Sequence, residues 1–346
     1  MALLWIEGFE GFGSSTGNAP APSGIVGRKY PDYSGASDFD IQTGRLGGYS
    51  LEFSSSGAYI QSPVLTTDDT LIIGFAVRFR AFSGTSFVSM YDGTTQGINM
   101  RTIAGGELSV YRATTVLGTT VGLGLSVDTW YYIQLKVVCG DSPNGSYELR
   151  VSGVNVLSAS GIDTKAGTHT YHDRFRLSNA VSTPPYPTFD DLYCLDSSGA
   201  INNDFLGNMR VADIRPNSDT AAKAWTRSAG SDNYTLANEV VIDDDTTYIE
   251  SGVSTTKDLY DYESVLGLGD SVKGIQINTV CRETDANSFS LITVVKSDVD
   301  ESDDSAQAIG TTSYVTKTRL VETDPHTSNA WTLAGLNAAQ FGIKVG

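Results

Sequence analysis

Residues 70–82 read TLIIGFAVRFRAF, with Ile73, Phe75, Val77 and Phe79 on alternate positions and Arg78 and Arg80 on the others. Successive side chains of an extended chain point to opposite faces, so this spacing builds a strand with one buried face. The pattern returns in WYYIQLKVVCG, where Tyr131, Ile133, Leu135 and Val137 alternate with Tyr132, Gln134 and Lys136. DSPNGS follows, with an Asn-Gly pair that favours a hairpin turn. YELRV then puts Tyr147, Leu149 and Val151 on one side. Such segments form an antiparallel meander whose second face is at least partly solvated.

KGIQINTVCR, FSLITVVKS, TTSYVTKTRLVE and FGIKV extend the strand signal through the second half. Charged residues make up only 18% of the chain, below the usual quarter, and 36 glycines supply many turns. A length of 346 residues suggests two domains, each able to bury a core. The polar stretch after PTFDDLYCLD marks the junction. The expected organisation is an N-terminal β-domain at 1–207, a linker at 208–224 and a smaller, β-sandwich-like C-terminal domain at 225–346. Helical signals are few. SDTAAKAW (218–225) suggests a turn or two, and TSNAWTLAGLNAAQFG a short helix capped by Ser328 or Asn329, with Trp331, Leu333, Leu336 and Ala339 as its stripe.

Forty acidic against 23 basic side chains leave a net charge of −17, which repels phosphate backbones and argues against nucleic-acid binding. Cys139, Cys194 and Cys281 form no CxxC and are expected as free thiols in a reducing cytosol. The opening MALLWI is a short apolar run with no basic residue before it, so no Sec-type leader is expected there. No stretch approaches the ~18 uninterrupted apolar residues of a membrane span, and no membrane insertion is expected.

Residues 1–207 resemble the concanavalin A-like, laminin-G-type jelly rolls. The matching pieces, in the family's order, are TGRLGGYSLEFSSSGAYIQSPV, IIGFAVRFRAF, DTWYYIQLKVV and FDDLYCLD. The resemblance implies that the closing Asp-Asp strand pairs with the first strand, LLWIEGF. The whole chain is further similar to tailed-bacteriophage virion proteins that join such a jelly roll to a C-terminal β-domain. FLGNMRVADIRPNSDTAAKAWTRSAGSDNYTLANE, DDDTTYIESG and AWTLAGLNAAQFGIKVG carry that second likeness. It implies a particle component.

Glycosidases need two carboxylates flanking the sugar bond, at ~5–9.5 Å. On a strand a same-face pair requires spacing i, i+2 or i, i+4. Asp190 and Asp191 are adjacent, so only one is expected to face any cleft. One is expected to accept turn or backbone N–H bonds and the other to be solvated. Calcium needs six to eight oxygens. The candidates for such a structural ion are Asp190, Asp191, Asp243, Asp245, Asp298 and Asp300. His169 and His172, three apart, are expected to serve as loop residues rather than zinc ligands. No G-x-S-x-G elbow and no phosphate-binding glycine loop is present. YDGTTQGIN reads as a polar loop suited to sugar, with Tyr91, Asp92 and Asn99 as the glycan candidates.

The resulting expectation is a non-enzymatic structural protein of a tailed-phage virion, with no required cofactor. It would serve as a tail fibre, tail-associated or capsid decoration protein, assembled in the host bacterial cytoplasm. Its partners would be other virion proteins and copies of itself, a trimer if it forms a fibre or spike. The alternative is a host-surface glycan recogniser, and behind it a polysaccharide depolymerase.

Overall fold

The computed structural model describes residues 2–12, 22–35, 38–179, 186–240, 242–265, 271–284 and 289–346. The chain forms two compact units, Met1–Val211 and Ala212–Gly346. Both are built almost wholly of antiparallel strands. Sequence placed the junction at 208–224; residues 208–211 belong to the first unit, and Pro216–Lys223 is a strand of the second.

The first eight strands of the N-terminal unit are β1 (Leu3–Glu7), β2 (Asp32–Tyr33), β3 (Phe39–Thr43), β4 (Tyr49–Phe53), β5 (Tyr59–Gln61), β6 (Thr70–Arg78), β7 (Ser86–Asp92) and β8 (Thr95–Ile103). After them come β9 (Glu107–Arg112), β10 (Thr115–Thr119), β11 (Trp130–Val138), β12 (Gly145–Val151), β13 (Val154–Ile162), β14 (Arg174–Ser178) and β15 (Thr188–Asp196). One sheet runs β13-β12-β11-β6-β15-β4-β3, with β1 also paired to β15. The other runs β10-β9-β8-β7-β14-β5-β2. This is a jelly-roll sandwich, and its first strand pairs with its last as the family resemblance implies.

Alternation sorts the faces as read from sequence. Leu71, Ile73, Phe75 and Val77 of β6, with Ile133, Leu135 and Val137 of β11, point into the core. From the facing sheet Phe87 meets Phe75 and Phe79 edge-on, with ring centroids 6.2 and 5.0 Å away. Each such ring contributes about 1.5–3 kcal/mol of burial, plus the edge-to-face term. The Asn-Gly signal does mark a hairpin, but β11 and β12 are joined through residues 139–144 rather than a two-residue turn. One helix escaped the sequence reading: α1 (Pro22–Lys29) is followed by Tyr30, whose hydroxyl donates to Glu7 at 3.0 Å.

The second unit contains β16 (Pro216–Lys223), β17 (Thr226–Arg227), β18 (Ile249–Glu250), β19 (Lys257–Tyr262), β20 (Ile275–Cys281), β21 (Ser290–Ser297), β22 (Asp300–Asp303), β23 (Gln307–Ala308), β24 (Val315–Val321) and β25 (Gln340–Val345). A six-stranded sheet, β16-β19-β25-β21-β22 with β23 on β21, packs Val295 and Phe341 against Trp331 and against Val321 of the β20–β24 ribbon. The alanine-rich 218–223 stretch is strand, not helix. Pairing with β19 and the fully buried Asp258, which accepts the N–H groups of Ala224 and Trp225 at 2.6 and 2.8 Å, override its helical propensity. The expected C-terminal helix exists as α2 (Leu333–Ala338). Its cap is Thr332, accepting from the Gly335 N–H at 3.0 Å, rather than Ser328 or Asn329. The three cysteines are unpaired, with Cys139 and Cys194 buried.

Candidate functional site

The two central aspartates sit where β15 changes neighbour. Thr188 and Phe189 pair with β4, whereas Leu192 to Leu195 pair with β1. Against β6 the register slips between Asp190 and Tyr193, and Asp191 adopts φ +49°. This is a β-bulge, and its extra residue breaks the alternation. Both carboxylates therefore reach the same side, which corrects the expectation that only one can. Neither is solvated, since each is 2% exposed.

Arg45 ties them together. Its backbone N–H donates to Asp190 at 2.7 Å, and its guanidinium donates to Asp191 from Nε at 2.8 Å and Nη2 at 2.7 Å. The other Asp191 oxygen accepts the Val211 N–H at 2.7 Å, and Arg45 also donates to the Met209 carbonyl at 2.5 Å. Burial, reinforced by the neighbouring Asp191 carboxylate, pushes the Asp190 carboxyl up. Burial also raises Asp191, against the pull of the Val211 N–H and Arg45. With its acceptors already filled, the pair fastens the 208–211 segment to the sheet and leaves no oxygens convergent on an ion.

The other calcium candidates are dispersed in the second unit. Asp243 accepts the Thr247 N–H at 3.0 Å, and Asp245 binds Arg282 at 2.6 Å. Asp300 and Asp298 flank His326 at 2.7 and 3.4 Å. Among the described residues no three His, Cys, Asp or Glu side chains are arranged to hold a metal ion.

The outward face of the seven-stranded sheet is different. Val88, Met90, Ile98, Met100, Val110, Phe175 and Leu177 turn to the core, so the residues between them line the other side. Registered pairs place Gln61, Arg176, Ser89, Asn99 and Tyr111 in one transverse row across five strands. Arg174, Tyr91 and Gln96 form the next row towards the β7–β8 turn. Arg101 and Ser109 pair on the far side.

These side chains are held in place. The Arg176 guanidinium lies 3.9 Å over the Tyr59 ring and 4.7 Å over Tyr91, donating to Gln61 at 3.0 Å and Asp32 at 3.1 Å. Arg101 lies 4.1 Å over Tyr111. Gln96 donates to Ser89 at 2.9 Å. The Tyr59 hydroxyl donates to Asp32 at 2.7 Å, and that bond is the main cause that raises the hydroxyl above the ordinary phenol range.

YDGTTQGIN is therefore a tight hairpin and not an open loop. Tyr91 and Asn99 lie on the outward face, Asn99 almost fully buried beneath the larger side chains. Asp92 leaves that face at the strand end and binds His169, Nδ1 to Oδ1, at 2.6 Å. Burial acts to raise Asp92, but the bonds from the His169 backbone and ring outweigh it and hold the carboxyl below its usual range. The His169 ring stacks on Tyr171 at 4.7 Å with its side chain half exposed. His172 is buried, and burial pushes it down to about 4. Sequence reading missed Arg101, Arg174, Arg176, Tyr59 and Tyr111. The signal was present in RFRLS, whose arginines must oppose Phe175 and Leu177.

No family model matches the sequence, and no curated protein does. Among solved structures, the chain is similar to an alginate lyase from Aplysia kurodai at 15% identity and TM-score 0.41, over 56% of this chain and 99% of that one. It is similar to domain 4 of an extracellular arabinanase from Geobacillus stearothermophilus in complex with arabinotriose, at 15% identity and TM-score 0.38, over 56% and 93%. It is also similar to the receptor-binding domain of a botulinum neurotoxin C/D mosaic serotype, at 12% identity and TM-score 0.35, over 47% and 42%.

Proposed function

We propose that the N-terminal unit is a glycan-recognition module that binds along the outward face of its seven-stranded sheet. One observation carries this reading: Tyr59, Tyr91 and Tyr111 stand among Arg101, Arg176, Gln61 and Gln96 on the outward face, locked by stacking and hydrogen bonds. With guanidiniums lying over the tyrosine rings, the surface offers flat cationic planes and amide and hydroxyl groups to sugar hydroxyls. A surface already held in one arrangement loses little entropy on binding. The virion setting expected from the sequence resemblance belongs to the same proposal. Copies displayed together on a particle would gain avidity from weak single sites.

A glycan array probed with the whole chain tests the reading, alongside Tyr111→Ala and Arg176→Gln. Selective binding that falls about tenfold or more in both variants supports it. Binding that survives both changes, or a blank array with folded protein, overturns it.

A second reading, cleavage of the bound glycan, is favoured by the His169–Asp92 pair. A buried carboxylate orienting a half-exposed imidazole is the arrangement of a general base. New chain ends from an incubated polysaccharide, absent with His169→Ala, would establish it. An unchanged polysaccharide leaves the protein a binder.

A further inference from the structure

Three arginines stand on the outward face of the seven-stranded sheet, and two are neutralised. Arg174 binds Asp173 at 2.8 and 3.0 Å, and Arg176 binds Asp32 at 3.1 Å. Arg101 has no carboxylate within ion-pair distance among the described residues. Its Nε donates to the Asn99 side-chain oxygen at 3.0 Å, and its Nη2 approaches the Ala113 carbonyl only at 3.5 Å. Asn99 is itself 1% exposed and fixed by donating to that same carbonyl at 2.8 Å.

The Arg101 head is thus aimed by a buried amide and flattened on the Tyr111 ring. A flexible surface arginine would instead extend its charge into water. Among the described residues this half-buried guanidinium meets only neutral acceptors and the Tyr111 ring, and no counter-charge. In a chain of net charge −17 a nearby carboxylate would have been easy to supply. With Nε occupied, the Nη edge presents two donors spaced for a carboxylate or sulfate. Ser86 and Ser109 pair with Arg101 from the two adjoining strands, with their hydroxyls turned to Ser89 and Thr119, so that the guanidinium is the group left to meet a ligand.

We propose that Arg101 anchors an acidic group of the bound glycan, so that the ligand of this face is an anionic polysaccharide carrying uronate carboxylates or sulfate esters. The proposal rests on the glycan reading above and narrows it to a substrate class.

Calorimetric titration of the whole chain with a neutral polysaccharide, a polyuronate and a sulfated polysaccharide, at about 0.15 M salt, tests it. The variants are Arg101→Gln, Arg101→Lys and, away from this face, Lys344→Gln. The expected result is a preference of about tenfold or more for an acidic polymer over the neutral one. Arg101→Gln abolishes the preference, bringing binding of the acidic polymer down to that of the neutral polymer measured with the same variant. Arg101→Lys keeps the charge but loses the fork, and retains part of the preference. Lys344→Gln changes nothing. Whichever acidic polymer binds identifies the group as carboxylate or sulfate. Equal binding of all three polymers, or an unchanged preference in both Arg101 variants, overturns the acidic-ligand assignment and leaves glycan recognition standing. Failure to bind any of the three, by folded protein that also fails the glycan array, overturns both. Circular dichroism establishes that each variant is folded. Should Arg101→Gln misfold, Arg101→Lys decides alone.

Discussion

Arg45 brings Nε and Nη2 to a single oxygen of Asp191, at 2.8 and 2.7 Å, across 146 positions of sequence. The Asp191 carboxylate is almost fully buried, and its other oxygen holds the Val211 N–H. Removing the guanidinium leaves buried carboxyl groups uncompensated, which typically costs about 3–5 kcal/mol. Arg45→Met is expected to lower the urea unfolding free energy by about 3 kcal/mol and to expose 208–211 to protease. Pairing it with Asp191→Asn, which removes the stranded charge, should recover part of the loss. A stability unchanged by Arg45→Met would show that the ion pair does not hold the sheet and the 208–211 segment together.

The Asp190 carboxyl, ordinarily near 3.8, is raised to about 7 by burial and by the Asp191 carboxylate. Between those values the unfolded chain has released this proton while the folded one retains it. The folded state therefore binds more protons, and its advantage is lost as pH rises towards neutrality. Other groups titrate in the same range, so the informative quantity is a difference. From pH 5 to pH 8 the urea midpoint of the native protein should fall relative to that of Asp190→Asn. Parallel pH profiles would contradict the raised carboxyl.

His172 behaves in the opposite sense. Its ring is buried against Gly97, and burial lowers it from 6.5 to about 4. The folded state refuses a proton that the unfolded state takes up. The stability this gives is present above pH 6.5 and is lost as pH falls towards 4. His326 is raised instead, chiefly by its hydrogen bond to Asp300. In nitrogen-edited NMR, the His172 ring signals should stay constant from pH 7.5 to 5, while those of His326 shift with a midpoint above 6.5. A His172 midpoint near 6.5 would place that ring in solvent.

Gly342 lies in mid-strand on β25, between Leu259 of β19 and Val294 of β21. A methyl group there would run into the Asp258 backbone carbonyl, which no rotamer change relieves. Gly342→Ala is expected to destabilise the C-terminal unit by about 3 kcal/mol. In calorimetry the transition of that unit should fall in temperature while the one from the N-terminal unit stays. Two unmoved transitions would show that the β19–β25 spacing yields without cost.

How far the sequence reaches is visible in particular elements. Alternation in TLIIGFAVRFRAF and WYYIQLKVV determined which residues enter the core, because pleat geometry is local and needs no partner to express it. The hairpin after Val138 followed from that pattern and its turn, while the jelly-roll class came from the resemblance of the quoted segments to a known family. The row of arginines opposite Phe175 and Leu177 was legible by the same rule. What they stack on was not, because Arg176 lies over tyrosines of two other strands. The bulge at Asp191 exists because β15 leaves β4 for β1 at that point, and no stretch of β15 encodes that exchange alone. The tertiary structure alone decided that two adjacent aspartates share one side, that a distant arginine holds both, and that residues 218–223 extend as strand. Each of these depends on partners brought in from far along the chain, whose contacts outweigh the preferences of the segment itself.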